Sequence, residues 1–428
     1  MNSETYPYFY RLVESLPVVS SHEHHFPDEF HQGLTLDRLF ENTYLFTMAE
    51  SYGKASLPAR DYLKPVRGLK RIYPIPVADP GRRSEFLGHA RYNSYFVWLQ
   101  KSLQHIYQFD AELTPENWDL LSAKLAEKHA SNQAHLDILR QQAGYRRVVL
   151  DPFWDYGINN GHPELFSPAM RVDMFVTSFH PAVLDHDGNS PFLCYPYAPT
   201  GNFDDYLDFL ENLFTGWRNA GAVAMKSASA YDRSLNYGES DRQAAGRVFY
   251  KDPQVVSLTE RIAYEDFMFD WFCRLCARFG VPFQIHTGLG KLAGSRPIFL
   301  ESTILRNPQV HFVLFHAGYP WYDETAGMLH NHSNISVDMV WVPLISPTGA
   351  VLALHEFIEV AQSGDLIGWG GDAFTSEEAF GALLAWRHVV ARTLAEKVEQ
   401  GYLSRPAAES LAHKLMYANV ANRYGLQV

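Results

Sequence analysis

The amino-acid sequence predicts an α/β fold, a distorted (β/α)8 TIM barrel, on three observations. Eight short runs of β-branched or aromatic residues are spread over the 428 residues of the chain. Helix-periodic segments separate most of these runs, and this alternation is typical of a parallel sheet. Histidine, lysine and aspartate residues stand at the carboxyl ends of several runs, where barrels place their catalytic groups.

The predicted strands are each followed by polar residues before helical periodicity begins. In chain order they are Leu16–Ser20, Arg147–Leu150, Val172–Ser178, Val223–Lys226, Pro282–His286, His311–His316, Asn334–Met339 and Asp365–Gly370. An open doubly wound sheet is the alternative to a barrel. It would need a glycine-rich phosphate turn after its first strand, and the sequence there, SSHEHHFPDEF, offers none.

Four segments carry the clearest helical signals. Phe203–Ala220 repeats apolar residues at a spacing of three and four, which makes one apolar stripe. Leu258–Phe279 repeats this pattern and is followed by Gly280, a residue favoured just after a helix ends. Ser376–Glu396 and Pro406–Asn419 are predicted to be the closing helices.

The interval between the first two strands is too long for one crossover. We therefore predict one barrel domain over residues 1–428 with a helical insertion at 26–145. Within the insertion, Arg91–Tyr107 is aromatic and helix-periodic. Its aromatic residues, expected to be exposed, would cover the active site or meet another subunit of a homo-oligomer. They are Tyr92, Tyr95, Phe96 and Trp98.

Composition excludes several classes of protein. The 36 Lys and Arg against 48 Asp and Glu give a net charge of −12, which argues against a nucleic-acid partner. Apolar runs are too short to cross a membrane, and the first residues lack the pattern of a signal peptide. The three cysteines are too few for a disulfide framework. We expect a cytoplasmic protein that acts on a small molecule.

The residues at the predicted strand ends indicate a metal site. In an extended strand, residues two apart share a face, so His22 and His24 can converge on one ion. Four further candidates end later strands: Lys226, His286, His316 and Asp372. Neutral imidazoles with one carboxylate suit Zn²⁺ first, with Mn²⁺ or Fe²⁺ as alternatives.

Each of these residues has an ordinary structural explanation when it is taken alone. His286 or His316 could be a hydrogen-bonded core histidine, and Asp372 could cap the helix that begins near Ser376. Taken together, buried imidazole, ammonium and carboxylate groups would destabilise the fold unless they were paired or coordinated. The sequence therefore favours a shared metal site over coincidence.

The same residues carry a resemblance to the amidohydrolase superfamily. Within it, the chain is most similar to the branch of uronate isomerase relatives and of the N-terminal domain of nodulin/FluG-type fusions. The matching stretches include VVSSHEHH, AVAMKSASAYDRSL, PFQIHTGLG, HFVLFHAGYPWYDETAGML, NISVDMVW, IGWGGDAF and MYANVANRYGL. They follow the family order over nearly the whole chain, and the resemblance implies a barrel that holds one or two divalent metals.

The resemblance also implies a ligand set. His22, His24 and Asp372 would bind the first ion with help from His286. Lys226 occupies the position at which binuclear members carry a carboxylated lysine, which bridges to a second ion. His286 and His316 would hold that second ion. In the mononuclear alternative, Lys226 and His316 contact substrate or water instead.

The expected chemistry is hydrolysis of an amide, ester or lactone of a small polar substrate. A divalent ion lowers the pKa of its bound water, Asp372 accepts the proton, and His316 or a second ion stabilises the oxyanion. Asp372, His316 and Lys226 are therefore the candidate catalytic residues. Alternatives are non-oxidative decarboxylation of an aromatic acid, uronate-type isomerisation and a non-enzymatic scaffold role.

Substrate contacts are expected from the loops that follow the fourth, sixth and seventh strands. Tyr231 and Arg233 follow Lys226, and Arg233 would clamp a substrate carboxylate or simply lie on a solvated loop. Trp321 would wall the pocket, and Trp341 could do the same.

Overall fold

Eight parallel strands form one sheet in the computed structural model, which describes residues 4–45 and 80–428. The strands are β1 (Val18–Glu23), β2 (Tyr145–Leu150), β3 (Phe166–Arg171), β4 (Ala224–Ser227), β5 (Phe283–His286), β6 (Phe312–Phe315), β7 (Ile335–Asp338) and β8 (Ile367–Gly368). Each strand pairs with the next in the chain. Backbone hydrogen bonds from Ser21 to Trp369 (3.0 Å) and from Asp372 to His22 (3.0 Å) join the two ends of the sheet. The predicted barrel is confirmed.

Helices surround the sheet. They are α1 (Thr5–Ser15), α2 (Asp28–His31), α3 (Leu36–Phe40), α4 (Pro80–Ala90), α5 (Ser94–Tyr107), α6 (Trp118–Lys128), α7 (Ala134–Asp137), α8 (Asp173–Thr177), α9 (Pro191–Cys194), α10 (Phe203–Asn219), α11 (Arg242–Val248), α12 (Leu258–Phe279), α13 (Glu301–Arg306), α14 (Tyr322–Asn331), α15 (Val342–Ile345), α16 (Pro347–Val360), α17 (Ser376–Glu399), α18 (Arg405–His413) and α19 (Asn419–Tyr424). Among the residues that the structure describes, no helix is both long and apolar enough to span a membrane.

The third predicted strand is wrong. Val172–Ser178 is mostly the buried helix α8, and the strand lies just before it at Phe166–Arg171. A short apolar run without periodicity does not distinguish a buried strand from a buried helix. Pro168 also hid β3, because proline has no N–H to donate within a sheet. The other seven predicted strands overlap observed ones.

The long predicted helices are confirmed. The helix α12 begins with a reciprocal cap between Ser257 and Glu260 and ends at Gly280, whose φ of 61° lies in the left-handed region. Within it, Cys276 is buried and its thiol donates to the carbonyl of Val281. The closing helical region is interrupted by a π-helix at Lys414–Ala418.

The segment between β1 and β2 packs on the barrel through α5. Ser102 donates a hydrogen bond to the backbone oxygen of Glu377 at the start of α17 (2.6 Å). Three of the four aromatic residues that were expected to be exposed are buried in this packing: Tyr95, Phe96 and Trp98. Of the four, only Tyr92 is exposed, so that expectation is wrong for the other three. The insertion boundaries at 26 and 145 stay a prediction, and residues 46–79 lie outside the described part.

Candidate metal centre

The chain brings the two ends of the sheet together at His22, His24 and Asp372. His22 lies in β1 and His24 directly follows it, so their side chains leave the same face. Asp372 follows β8 with a φ of 61°, and this left-handed backbone turns its carboxylate toward the two imidazoles. One oxygen, Oδ1, lies 3.3 Å from the Nε2 atom of His22 and 3.3 Å from that of His24.

The hydrogen bonds around these groups fit a bound cation. The Nδ1–H of His24 donates to the backbone oxygen of Asp151 (2.8 Å), which leaves the Nε2 lone pair directed at the Asp372 carboxylate. Among the described residues, neither nitrogen of the fully buried His22 has a well-formed hydrogen bond, and its Nε2 is left with the 3.3 Å contact to Asp372. A lone pair facing a carboxylate is repulsive unless a positive charge lies between them. The three residues therefore offer the donor set of a divalent metal site.

A second pair of imidazoles lies across the barrel mouth. His286 ends β5 and His316 follows β6, with the Nδ1 of His286 2.9 Å from the Nε2 of His316. The outer nitrogens face backbone oxygens, those of Leu289 and Val340. These three contacts need three N–H groups, whereas two neutral rings carry two. If both rings donate outward, two lone pairs face each other, and an ion between them would satisfy both.

Lys226 lies in β4 with its ammonium 4.3 Å from the centroid of the Phe315 ring. Burial lowers the pKa of Lys226 to about 8, although the Asp151 and Asp372 carboxylates oppose this shift. Lys226 pairs in register with Arg171 on β3. Its amine is therefore poised to lose its proton more readily than a solvent-exposed lysine.

His22, His316 and Asp372 are in the states that metal binding needs. Burial opposes protonation of His24, but the Asp372 carboxylate outweighs it and raises the pKa of His24, so an ion there competes with a proton. Burial lowers the pKa of His22 to about 4 and that of His316 to about 3, so both imidazoles are neutral at neutral pH. Burial opposes ionisation of Asp372, but the contacts with His22 and His24 outweigh it and hold the pKa of Asp372 well below its usual range. A neutral imidazole and an ionised carboxylate are the ligand forms of these side chains.

Glu23, which the sequence interpretation passed over, holds the loop that carries Asp372. Its carboxyl group accepts the backbone N–H of Gly371 (2.9 Å) and that of Ala373 (2.8 Å), on either side of Asp372. Ser20 donates a third hydrogen bond to it (2.7 Å). The sequence did offer a signal for Glu23. Side chains alternate between the two faces of β1, so Glu23 must face away from His22 and His24.

Asp151 and Arg171 were also missed. Asp151 directly follows β2, and its Oδ2 lies 3.7 Å from the Nε2 of His22. Arg171 ends β3 and contacts Asp151 (2.7 Å), Asp173 (2.9 Å) and Asp187 (3.0 Å). The misplaced third strand concealed Arg171, whereas Asp151 could have been found as a carboxylate at a strand end.

The predicted substrate residues separate into two groups. The ring of Tyr231 lies 4.6 Å from that of His286, and Trp341 lies 5.6 Å from His316, so both border the centre. Trp321 packs instead near Arg296 (5.8 Å).

Arg233 differs from its predicted substrate role. Its guanidinium donates to Glu265 (3.1 Å) and Asp266 (2.7 Å) and lies 4.3 Å from the ring of Tyr237. Both carboxylates are on α12 and are buried. Because its guanidinium is engaged by the protein's own acids, the structure favours a structural role for Arg233 over a carboxylate clamp.

Sequence comparisons give two matches. The family model described as Amidohydrolase matches residues 199–426. The protein fluG of Emericella nidulans is 30% identical over 151 residues, which cover 34% of this chain. That match spans only 17% of the length of fluG.

Several solved structures have the same fold. A glucuronate isomerase of Caulobacter crescentus matches with a TM-score of 0.75 and 18% identity over 100% of this chain and 96% of its own. A uronate isomerase of Thermotoga maritima matches with a TM-score of 0.74 and 15% identity over 98% of this chain and 97% of its own. A Lactobacillus casei protein described as a metal-dependent hydrolase matches with a TM-score of 0.66 and 17% identity over 98% of this chain and 99% of its own.

Proposed function

Because the chain belongs to the amidohydrolase superfamily, we propose that it is a metal-dependent hydrolase that cleaves an amide, ester or lactone of a small polar substrate. The observation that carries this proposal is the meeting of His22, His24 and Asp372, with an imidazole lone pair directed at a carboxylate. The arrangement is favourable when a positive charge lies between the imidazole and the carboxylate, and a bound divalent ion would supply that charge.

In this proposal His22, His24 and Asp372 would hold one divalent ion. If His286 and His316 both donate their N–H groups outward, their facing nitrogens would hold a second ion, with Lys226 as a further ligand in its carboxylated form. Zn²⁺ suits these ligands best, and Mn²⁺ and Fe²⁺ are the alternatives. When bound, such an ion polarises a carbonyl and lowers the pKa of water.

The residues of the chain supply the proton transfers and the positioning. Asp372 is ionised, so it accepts a proton from the attacking water and returns it to the leaving nitrogen or oxygen. Its second oxygen lies 3.4 Å from the hydroxyl of Tyr44, which holds the carboxylate in place. Tyr231 and Trp341 flank the imidazoles and shape the apolar wall of the site.

The test is Asp372→Asn, assayed on a panel of amides, esters and lactones. We expect turnover to fall by at least about 100-fold, because the amide does not accept the proton. Zinc content should persist, since the amide oxygen can still coordinate. Asp365→Asn is a matched control near the opposite end of β8, where Asp365 pairs with Lys414 at the surface. Near-normal activity of Asp372→Asn would remove Asp372 from the mechanism.

Isomerisation of a uronate is the second candidate. The fold likeness to two proteins named as uronate or glucuronate isomerases, over at least 96% of their lengths, supports it by analogy. Reaction in heavy-oxygen water separates the candidates. A hydrolase places one labelled oxygen in its acid product, whereas an isomerase interconverts sugar acids without consuming water. Release of carbon dioxide would instead indicate a decarboxylase.

The setting of the enzyme is part of the same proposal. A cytoplasmic location and assembly into a homo-oligomer stay predictions from the sequence.

A further inference from the structure

A second group of buried histidines lies directly beyond the candidate metal centre. We propose that His25, His31 and His135 form a separate zinc site. His25 follows β1, His31 ends the helix α2, and His135 lies in α7. One nitrogen from each ring lies within 4.8 Å of the others, and all three side chains are buried.

Hydrogen bonds orient two of these rings as metal ligands. The Nε2–H of His31 donates to the backbone oxygen of Phe26 (3.1 Å), and that of His135 donates to the carboxylate of Asp28 (3.1 Å). A backbone oxygen can only accept, so the Nδ1 atom of His31 carries a lone pair, which is buried and has no hydrogen-bond partner in the part of the chain that the structure describes. Metal-bound histidines typically use their other nitrogen in this way.

His25 completes the triad. Its Nε2 lies 2.8 Å from the Nδ1 of His135, and its Nδ1 is buried with no partner within residues 4–45 and 80–428. With the proton of His135 held on Nε2 by Asp28, the His25 Nε2–H donates to His135 in the metal-free state. Ion binding requires that this proton move to the Nδ1 of His25, so all three rings stay neutral.

His129 lies beside the triad but is not one of its members. Its Nε2 lies 2.6 Å from Glu377, its Nδ1 is buried with no hydrogen-bond partner among the described residues, and its ring lies 6.1 Å from that of His31. The imidazole nitrogens of His25, His31 and His135 select Zn²⁺ and similar ions over Mg²⁺ or Ca²⁺, which prefer oxygen.

The proposed site also predicts a structural change. The rings of His31 and His135 stack at 4.1 Å with an interplanar angle of 6°, and the ring of His25 is tilted by only 17° from His31 and 21° from His135. Stacked parallel rings cannot direct their lone pairs at one shared ion, so zinc loading should rotate rings out of this arrangement. The ion would tie the end of β1 to α2 and α7, next to the ligand His24.

The decisive measurement uses the wild-type protein crystallised with excess zinc. Anomalous maps on the two sides of the zinc absorption edge should show a peak among His25, His31 and His135, apart from any peak at His22, His24 and Asp372. No peak there at saturating zinc would overturn the proposal. This outcome does not depend on catalysis, so it is independent of the proposed hydrolase function.

Metal analysis provides the second test. His31→Asn and His135→Asn should each lose a single zinc ion per chain, whereas His24→Asn should lose an ion but keep the one in this cluster. His162→Asn is the matched control, because His162 donates to the same Asp28 (2.8 Å) without belonging to the triad, and it should retain zinc. Unchanged zinc content in both triad variants would overturn the proposal. If the variants fail to fold, the wild-type map still decides.

Discussion

Replacing Glu23 with alanine tests whether the loop after β8 positions Asp372. The carboxyl group of Glu23 accepts the N–H groups of Gly371 and Ala373, and all of these groups are buried. Alanine leaves both N–H groups without an acceptor. The left-handed φ of Asp372, 61°, then loses the contacts that favour it.

The expected magnitude follows from these contacts. Each buried donor left unsatisfied costs about 1–3 kcal/mol, so the two together lower the free energy of unfolding by about 2–6 kcal/mol. A shift of Asp372 by about 1 Å would lower kcat by about 100-fold. Loss of support for a metal ligand should weaken metal affinity by about 10- to 100-fold.

Three measurements on purified protein check this reasoning: urea unfolding, metal titration and kcat. Burial raises the pKa of Glu23 to about 8, so Glu23→Gln resembles the protonated acid and should restore part of the activity. Glu265→Ala is the control, because Glu265 is also buried but pairs with Arg233 and Arg261 rather than with the loop after β8. If Glu23→Ala lost stability but kept kcat and metal affinity, the positioning role would be refuted.

Three further predictions concern other groups. Arg233→Ala should lower the free energy of unfolding by about 3–5 kcal/mol, because Glu265 and Asp266 lose a buried partner. KM should stay unchanged, and a large rise in KM would instead indicate that Arg233 binds substrate. Lys226 has a folded pKa of about 8, below its unfolded value, so metal-free wild type should gain stability as pH rises from about 8 to 10.5. Urea unfolding of Lys226→Met should show no such rise in stability with pH. An equal rise in this variant would contradict the lowered pKa of Lys226. Chelation should lower Tm, and zinc at about 100 times its Kd should restore about 2.7 kcal/mol; a Tm insensitive to chelation would argue against bound metal.

Much of the fold could be predicted because its signals are local. Seven strands were recognised from short apolar runs, and α12 from its apolar spacing and the glycine that follows it. The candidate ligands were predictable for a related reason, since in a parallel barrel every strand ends at the same rim. The strand β3 was missed because Pro168 interrupts its pattern and the apolar run after it forms a helix.

The role of each polar side chain could be assigned only from the tertiary structure. Arg233 and Arg171 look alike in sequence, yet Arg233 contacts acids of α12 while Arg171 lies beside Asp151 at the barrel mouth.

The barrel and its rim residues follow from the amino-acid sequence alone, because hydrophobic periodicity and strand ends are local signals that span a few positions. Which lone pairs face each other depends on the folded structure. His25 and His135 are 110 positions apart, and hydrogen-bond direction depends on atoms that folding alone brings within 3 Å.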